Sequence, residues 1–313
     1  MALALILPER MMDAWEQRFH DAAPDLIIRR WPQAKGAADI RYAYCWNAPQ
    51  GALAAFPNLE VIFSFGAGVD HILRDPSVPN LPIVRIVDDN LTMRMGEYVL
   101  LHVLLHHRRL AELLASQKQR VWLDFEQHAA NAMRVGVMGL GELGGSVAQK
   151  LAMVGFQVSG WSRTKRALDG IATYAGAAEL DPFLACTDIL VVLLPLTPDT
   201  RGVLNKALLS KLAKDGPLGG PVLINAGRGG LQIEADIVEA LDAGMLHAAS
   251  LDVFNVEPLP EDSPLWAHPK VIITPHNAAD SEPDALCRYV LGVIADYEAG
   301  RPLRNLVDRK RGY

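Results

Sequence analysis

The chain of 313 residues carries 30 Lys and Arg against 36 Asp and Glu, a net charge of -6, and half of it is hydrophobic. That mildly acidic balance gives no electrostatic reason to expect a nucleic acid partner, and the length exceeds one ordinary core, which predicts two domains. Cys45, Cys186 and Cys287 lie far apart with no CxxC pair, the pattern of a reduced, cytoplasmic protein. The apolar run 2–7 is too short for a membrane span and has no basic flank, so it reads as a first buried strand and no membrane partner is expected.

Apolar runs at 2–7, 26–30, 40–46, 61–65 and 83–87 predict strands, with a helix over 12–19. Strands that alternate with helices imply a parallel sheet covered on both faces. A helical pattern follows over 93–119, where Val99, Val103, Leu110 and Leu114 supply the apolar stripe. The alternation then restarts, with strands expected at 134–138, 157–161, 188–194, 222–225, 248–253 and 271–274, the series of a doubly wound sheet. A last helix is expected over 283–300, followed by a solvated tail at Arg309, Lys310 and Arg311 with Tyr313 packed down.

The turn Gly139-Leu140-Gly141-Glu142-Leu143-Gly144 stands between the strand at 134–138 and a helix marked by Leu143, Val147 and Leu151. Three glycines at this spacing suit a tight turn, a close approach of backbone to a pyrophosphate, and close packing of helix on strand. The N–H groups and positive dipole end of the helix favour the phosphates. A dinucleotide site that reads the unphosphorylated ribose needs a carboxylate at the end of the next strand. Here the sequence is Trp161-Ser162-Arg163-Thr164-Lys165-Arg166, with two hydroxyls and a guanidinium that suit a 2′-phosphate. The expectation is therefore NADP(H) over NAD(H), against the plainer reading of a solvated basic loop.

Three later loops carry polar residues just beyond apolar strands, the edge where ligands bind in an open α/β sheet. They contain Arg228 in Asn225-Ala-Gly-Arg-Gly-Gly230, Glu257 beyond Leu251-Asp252-Val-Phe, and His276 in Thr274-Pro-His. Arg can anchor an anion, a carboxylate can orient an imidazole and favour its charged form, and His can donate a proton near neutral pH. Each has a dull alternative, namely a surface ion pair, a solvated turn and a loop cap.

These segments, in this order and spacing, resemble the D-isomer-specific 2-hydroxyacid dehydrogenase family over nearly the whole chain. Within it, Phe65-Gly-Ala-Gly-Val-Asp70, Trp161-Ser162-Arg163 and Ser263-Pro-Leu-Trp-Ala-His-Pro269 are similar to the glyoxylate/hydroxypyruvate reductase A group. The resemblance implies hydride transfer to C2 of a small 2-oxo acid, with His276 as proton donor, Glu257 bonded to it, and Arg228 on the substrate carboxylate. It also implies a substrate site at Trp46, Gly66, Ala67, Gly68 and Val69 as well as Arg228 and His276. The cofactor contacts it implies are Gly139, Gly141, Glu142, Leu143, Gly144, Ser162, Arg163, Thr164, Leu194, Pro195, Ala226 and Asp252.

The fold that follows is α/β with two doubly wound domains, a Rossmann dinucleotide-binding domain (97–280) inserted into a flavodoxin-like substrate domain (1–96 and 281–313). Hinges near Met95 and Asp280, and a homodimer built around 97–125 with Trp122 in the interface, belong to the same implication. His102, His106 and His107 sit near one another on a helix but lack a third ligand motif, so no metal is expected and a helix face or dimer contact is the reading. Two alternatives stay open: a bulkier substrate, such as phenylpyruvate or a branched-chain 2-oxo acid, and a non-catalytic dinucleotide-sensing protein of the corepressor kind.

Overall fold

The structure is a computed structural model that describes residues 2–312. The packing expected for Tyr313 falls outside them. In chain order the first elements are β1 (Ala2–Ile6), α1 (Glu9–Ala22), β2 (Ile27–Arg30), β3 (Ile40–Cys45), β4 (Val61–Ser64), α2 (Asp70–Leu73) and β5 (Ile83–Val84). Helices α3 (Asp89–His107) and α4 (Leu110–Lys118) follow. Next come β6 (Arg134–Met138), α5 (Glu142–Val154), β7 (Gln157–Ser162), β8 (Ala172–Ala175), α6 (Leu180–Ala185) and β9 (Ile189–Val192). The chain continues with α7 (Lys206–Leu209), β10 (Val222–Asn225), α8 (Glu234–Asp242), β11 (Ala248–Leu251), β12 (Val271–Ile273) and α9 (Pro283–Glu298).

Two compact units result, one from the residues up to Leu91 together with those from Ser281 onward, the other Thr92–Asp280. The first crossing falls at Leu91, within the opening turn of α3 and a few residues before the expected position at 96.

Among the described residues the first unit has five parallel strands in the order β2-β1-β3-β4-β5, the flavodoxin-like winding. Apart from the edge strand β2, its strands are largely buried on both faces, as runs such as Ala-Leu-Ala-Leu-Ile in β1 require. Helix α1 presents Met12, Trp15 and Phe19, one helical stripe, to the core that also takes Leu286, Val290 and Ile294 of α9. The C-terminal helix thus completes the domain that the N-terminus begins.

Among the described residues the second unit has a parallel sheet in the order β12-β11-β10-β9-β6-β7-β8, with β6 inside it and the winding reversing between β6 and β9. That is Rossmann topology, and ligands bind outside the carboxyl ends of the strands at such a switch point. The sequence pattern predicts six strands here, and the structure has a seventh, β8, on the edge beside β7. Ala-Thr-Tyr-Ala is short and only half-buried, so it carries little of the periodicity that marks the other strands.

The single helical stretch expected over 93–119 is two helices. Arg109 takes a left-handed conformation at φ 51°, which a helix interior cannot accommodate. Its guanidinium is held there by Glu112 and by the face of Phe125, 4.3 Å from the ring centre. The face expected to be a dimer contact is in part internal, because His102 and His106 are buried against β11, where each meets the Ser250 hydroxyl at 2.8 Å.

Burial lowers His106 to a pKa of about 3 and lowers His102 as well. Below the ordinary histidine value of 6.5 an unfolded chain takes up protons that these rings refuse in the folded state. Stability is therefore lost as pH falls from that value toward 3, at roughly 1.4 kcal/mol per pH unit for each fully shifted ring. Denaturation midpoints at pH 7 and pH 5 should lie further apart in the native protein than in His106→Gln, where the His102 contribution remains; an equal loss in both would contradict the burial of His106.

Candidate active site

The geometry of the glycine turn suits each of the three tasks its spacing suggests. Gly139 sits at φ 111°, and a Cβ there would lie 2.7 Å from the Leu193 carbonyl oxygen. A Cβ on Gly144 would lie 1.8 Å from the Gly139 oxygen, so α5 could not pack so closely on β6 with any other residue. At Gly141 the direction of a Cβ meets nothing within 4 Å. Gly141 caps α5 without a side-chain bond, and this leaves backbone donors, those of Glu142 and Leu143 among them, at the mouth of the turn. Helix α5 then buries Gly144, Val147, Ala148 and Leu151 on the sheet, a spacing of three and four residues. A dinucleotide pyrophosphate fits this cradle.

At the end of β7, Ser162 is buried and its hydroxyl donates to the Thr164 carbonyl at 2.8 Å, while Arg163 and Thr164 are exposed. The seryl proton is committed to shaping the loop, so the loop's surface donors are Arg163 and Thr164. Lys165 is turned toward Glu179, 3.5 Å away. No carboxylate occurs among residues 162–168, so the chemistry of this edge suits a phosphate better than two bare ribose hydroxyls. Leu194 and Ala226 are buried beyond β9 and β10, with Pro195 half-buried beside them.

Arg228 follows β10 in a loop made possible by glycine. A Cβ on Gly229 would lie 1.9 Å from the Phe254 oxygen, and one on Gly227 3.0 Å from the Leu194 oxygen. The loop is pinned from below by Asn225, whose amide donates to Gln232 Oε1 at 2.8 Å and whose Oδ1 accepts from the Gly227 N–H. Gln232 in turn donates to the Val253 carbonyl. The Arg228 guanidinium reaches its neighbour's carbonyl through Nη1 at 2.8 Å.

Glu257 Oε2 meets His276 Nδ1 at 2.7 Å, and Glu257 Oε1 accepts the Phe254 N–H at 2.9 Å. Burial pushes the Glu257 carboxyl upward, but the His276 and Phe254 bonds, with the charges of His276 and Arg228, outweigh it and hold the group below its usual range. Glu257 is therefore a carboxylate at neutral pH. With Nδ1 engaged, His276 has Nε2 left for other chemistry. His276 adopts φ 54°, a conformation uncommon for a side-chain-bearing residue and frequent at functional sites.

Asp252 stabilises that turn. It is 1% exposed, and it accepts from Thr274 Oγ1 at 2.6 Å and from the Asn277 and Ala278 N–H groups at 3.0 Å each. Its carboxylate faces the 274–278 loop, a role that the sequence pattern alone does not reveal.

In the first unit, Phe65 and Gly66–Val69 follow β4 in a loop arranged by Ser64 and His71. His71 Nδ1 accepts the Asn47 N–H at 3.2 Å, so its proton sits on Nε2, facing Ser64 Oγ at 3.1 Å. Ser64 then donates to the Gly68 carbonyl at 2.9 Å. Trp46 is half-buried, packs at a tilt against His71 with ring centres 4.5 Å apart, and closes over Gly66, where a Cβ would lie 3.4 Å from the indole. Among the described residues no cluster of His, Cys, Asp and Glu suited to a metal is found.

Comparison with known proteins decides the family. The profile of the D-isomer specific 2-hydroxyacid dehydrogenase NAD binding domain matches residues 100–278. The chain belongs to the D-isomer specific 2-hydroxyacid dehydrogenase family. Members of this family are oxidoreductases. A glyoxylate/hydroxypyruvate reductase A of Yersinia enterocolitica is 40% identical over 305 residues, 96% of each chain. A crystal structure of an NADPH-dependent glyoxylate/hydroxypyruvate reductase from Sinorhizobium meliloti, in complex with NADP and sulfate, is 46% identical with a TM-score of 0.94, covering 100% of this chain and 99% of that one. A probable 2-hydroxyacid dehydrogenase from Rhizobium etli, in complex with NADP, HEPES and L(+)-tartaric acid, has the same identity, TM-score and coverage.

Proposed function

We propose that this protein is an NADPH-dependent reductase of small 2-oxo acids that converts glyoxylate to glycolate and hydroxypyruvate to D-glycerate. The observation that carries the reading is the 2.7 Å bond between Glu257 and the His276 ring, on the same Rossmann edge as Arg228. Similarity to the reductases of Yersinia and Sinorhizobium supports the choice of substrate.

NADPH, when bound, supplies the hydride that reduces C2. The backbone at Gly139, Gly141, Glu142, Leu143 and Gly144 would hold its pyrophosphate, Arg163 and Thr164 its 2′-phosphate on a loop shaped by Ser162, and Leu194, Pro195 and Ala226 the nicotinamide half. Arg228 holds the substrate carboxylate and polarises the C2 carbonyl with a bidentate fork. His276 gives its Nε2 proton to the oxygen of C2 as negative charge develops there. Glu257 fixes the ring through Nδ1 and offsets the charge of the imidazolium. In the first unit, the loop Gly66–Val69 offers backbone donors to a carboxylate and Trp46 is an apolar wall.

A homodimer is part of the proposal. Trp122 is 96% exposed, and Leu101, Leu110, Leu114 and Val121 add exposed apolar surface to its neighbourhood in the sequence, a burden that a monomer rarely carries. No described helix is long and apolar enough to cross a membrane. The free thiols Cys45, Cys186 and Cys287 support a reducing cytoplasm.

The basic edge of β7 sets a cofactor prediction. With glyoxylate saturating, kcat/KM should favour NADPH over NADH by about 100-fold, the scale of a charge-assisted phosphate clamp. Arg163→Ala should remove most of that ratio by raising KM for NADPH alone. A native preference for NADH would overturn the NADPH assignment, while equal loss with both cofactors would remove Arg163 from it.

A further inference from the structure

Helix α3 presents Tyr98, His102 and His106, spaced four residues apart, as one polar seam against β11 and β12 in an otherwise apolar core. The Tyr98 hydroxyl lies 2.8 Å from Thr274 Oγ1. Proton direction along this seam follows from donor and acceptor chemistry. Asp252 accepts from two backbone N–H donors, and Thr274 spends its one proton on Asp252 Oδ1 at 2.6 Å. Thr274 Oγ1 can then only accept from Tyr98. Burial pushes the Tyr98 phenol well above its ordinary value, which keeps the proton this bond needs. The ring is fixed separately, by stacking on His102 with centres 4.2 Å apart.

We propose that Tyr98 is a positioning residue for the proton donor, acting through Thr274 and Asp252. The relay Tyr98 to Thr274 to Asp252 fixes the carboxylate that holds the Thr274 hydroxyl on one side of His276 and the Asn277 and Ala278 N–H groups on the other. His276 is thereby kept at φ 54°, a backbone state its own side chain does not favour, with Nδ1 on Glu257. Without the phenolic proton, Thr274 Oγ1 loses its donor, the bond to Asp252 weakens, and the turn gains alternatives in which Nε2 is misdirected. The effect falls on turnover, because the Tyr98 hydroxyl acts through Thr274 and Asp252 on the loop that carries His276.

This inference rests on His276 being the proton donor, and a double-mutant cycle separates the two claims. Tyr98→Phe keeps the ring and its stack on His102 and removes the hydroxyl alone. It should lower kcat by about tenfold, the scale of one hydrogen bond in a charged network, while KM for NADPH stays within about twofold and the melting temperature is little changed. Thr274→Val should lower kcat by a similar factor, and adding Tyr98→Phe to it should then cost nothing further, since the relay is already cut. Thr274→Ser, which restores the hydroxyl, should recover sensitivity to Tyr98→Phe. Multiplicative losses in the double variant, or a kcat unchanged by Tyr98→Phe, would overturn the relay. Full turnover in a His276 variant would instead overturn the proton-donor reading on which it stands.

Discussion

Replacing His276 by Asn should lower kcat for 2-oxo acid reduction by about 10²- to 10⁴-fold, the usual contribution of a positioned general acid. Asn is the right probe because it accepts left-handed backbone more readily than most residues, so the turn at φ 54° need not relax. Its amide can still donate to Glu257, but it has no proton to give to an alkoxide. Binding of NADPH, followed by quenching of tryptophan fluorescence, should be unchanged, since the glycine turn and the β7 edge are untouched. A variant that keeps more than a tenth of native kcat would remove His276 from the reaction.

Arg228→Ala should reduce kcat/KM by about 10³-fold, because two charge-assisted hydrogen bonds to the substrate are lost together. Both kcat and KM should suffer, as the fork both binds the carboxylate and polarises the reacting carbonyl. Arg228→Lys keeps the charge without the planar fork and should recover only part of the loss. The same pair of variants reads a second consequence. The charge of Arg228 is one of the factors that hold Glu257 below its usual range, so its removal by Ala should move the acidic limb of the kcat/KM profile to higher pH, and Lys should leave that limb nearly in place. If Arg228→Ala changed KM for NADPH and left the 2-oxo acid unaffected, its assignment to the substrate would be wrong.

Much of this site can be read from the residues, because the functional groups follow buried strands and are flanked by glycine. Gly139, Gly144 and Gly229 stand where a Cβ would collide with backbone, and such positions punctuate a sequence clearly. The absence of a carboxylate after Trp161 is equally plain in one dimension. What sequence conceals is direction and partnership. Ser162 reads as a surface phosphate ligand, yet its proton is committed to the Thr164 carbonyl. Asp252 reads as a cofactor contact, yet its carboxylate serves the loop that carries His276. The histidines of α3 read as a helix face or dimer contact, whereas Ser250, some 140 residues away in the chain, accounts for two of them. Tyr98 gives no signal at all, being one apolar-compatible residue in a helical stripe, and it matters only once β12 brings Thr274 to it. The break at Arg109 is similarly silent, since it depends on Glu112 and Phe125 rather than on glycine or proline.

The most direct measurement is kcat/KM with NADPH for a series of 2-oxo acids of increasing size, namely glyoxylate, hydroxypyruvate, pyruvate, a branched-chain 2-oxo acid and phenylpyruvate. Glyoxylate and hydroxypyruvate should stand highest, by about tenfold or more over the bulky members, the scale on which a shaped pocket discriminates by size. A maximum at phenylpyruvate or the branched-chain acid would contradict the substrate assignment, and tight NADPH binding with no turnover on any member would contradict the assignment of an enzyme.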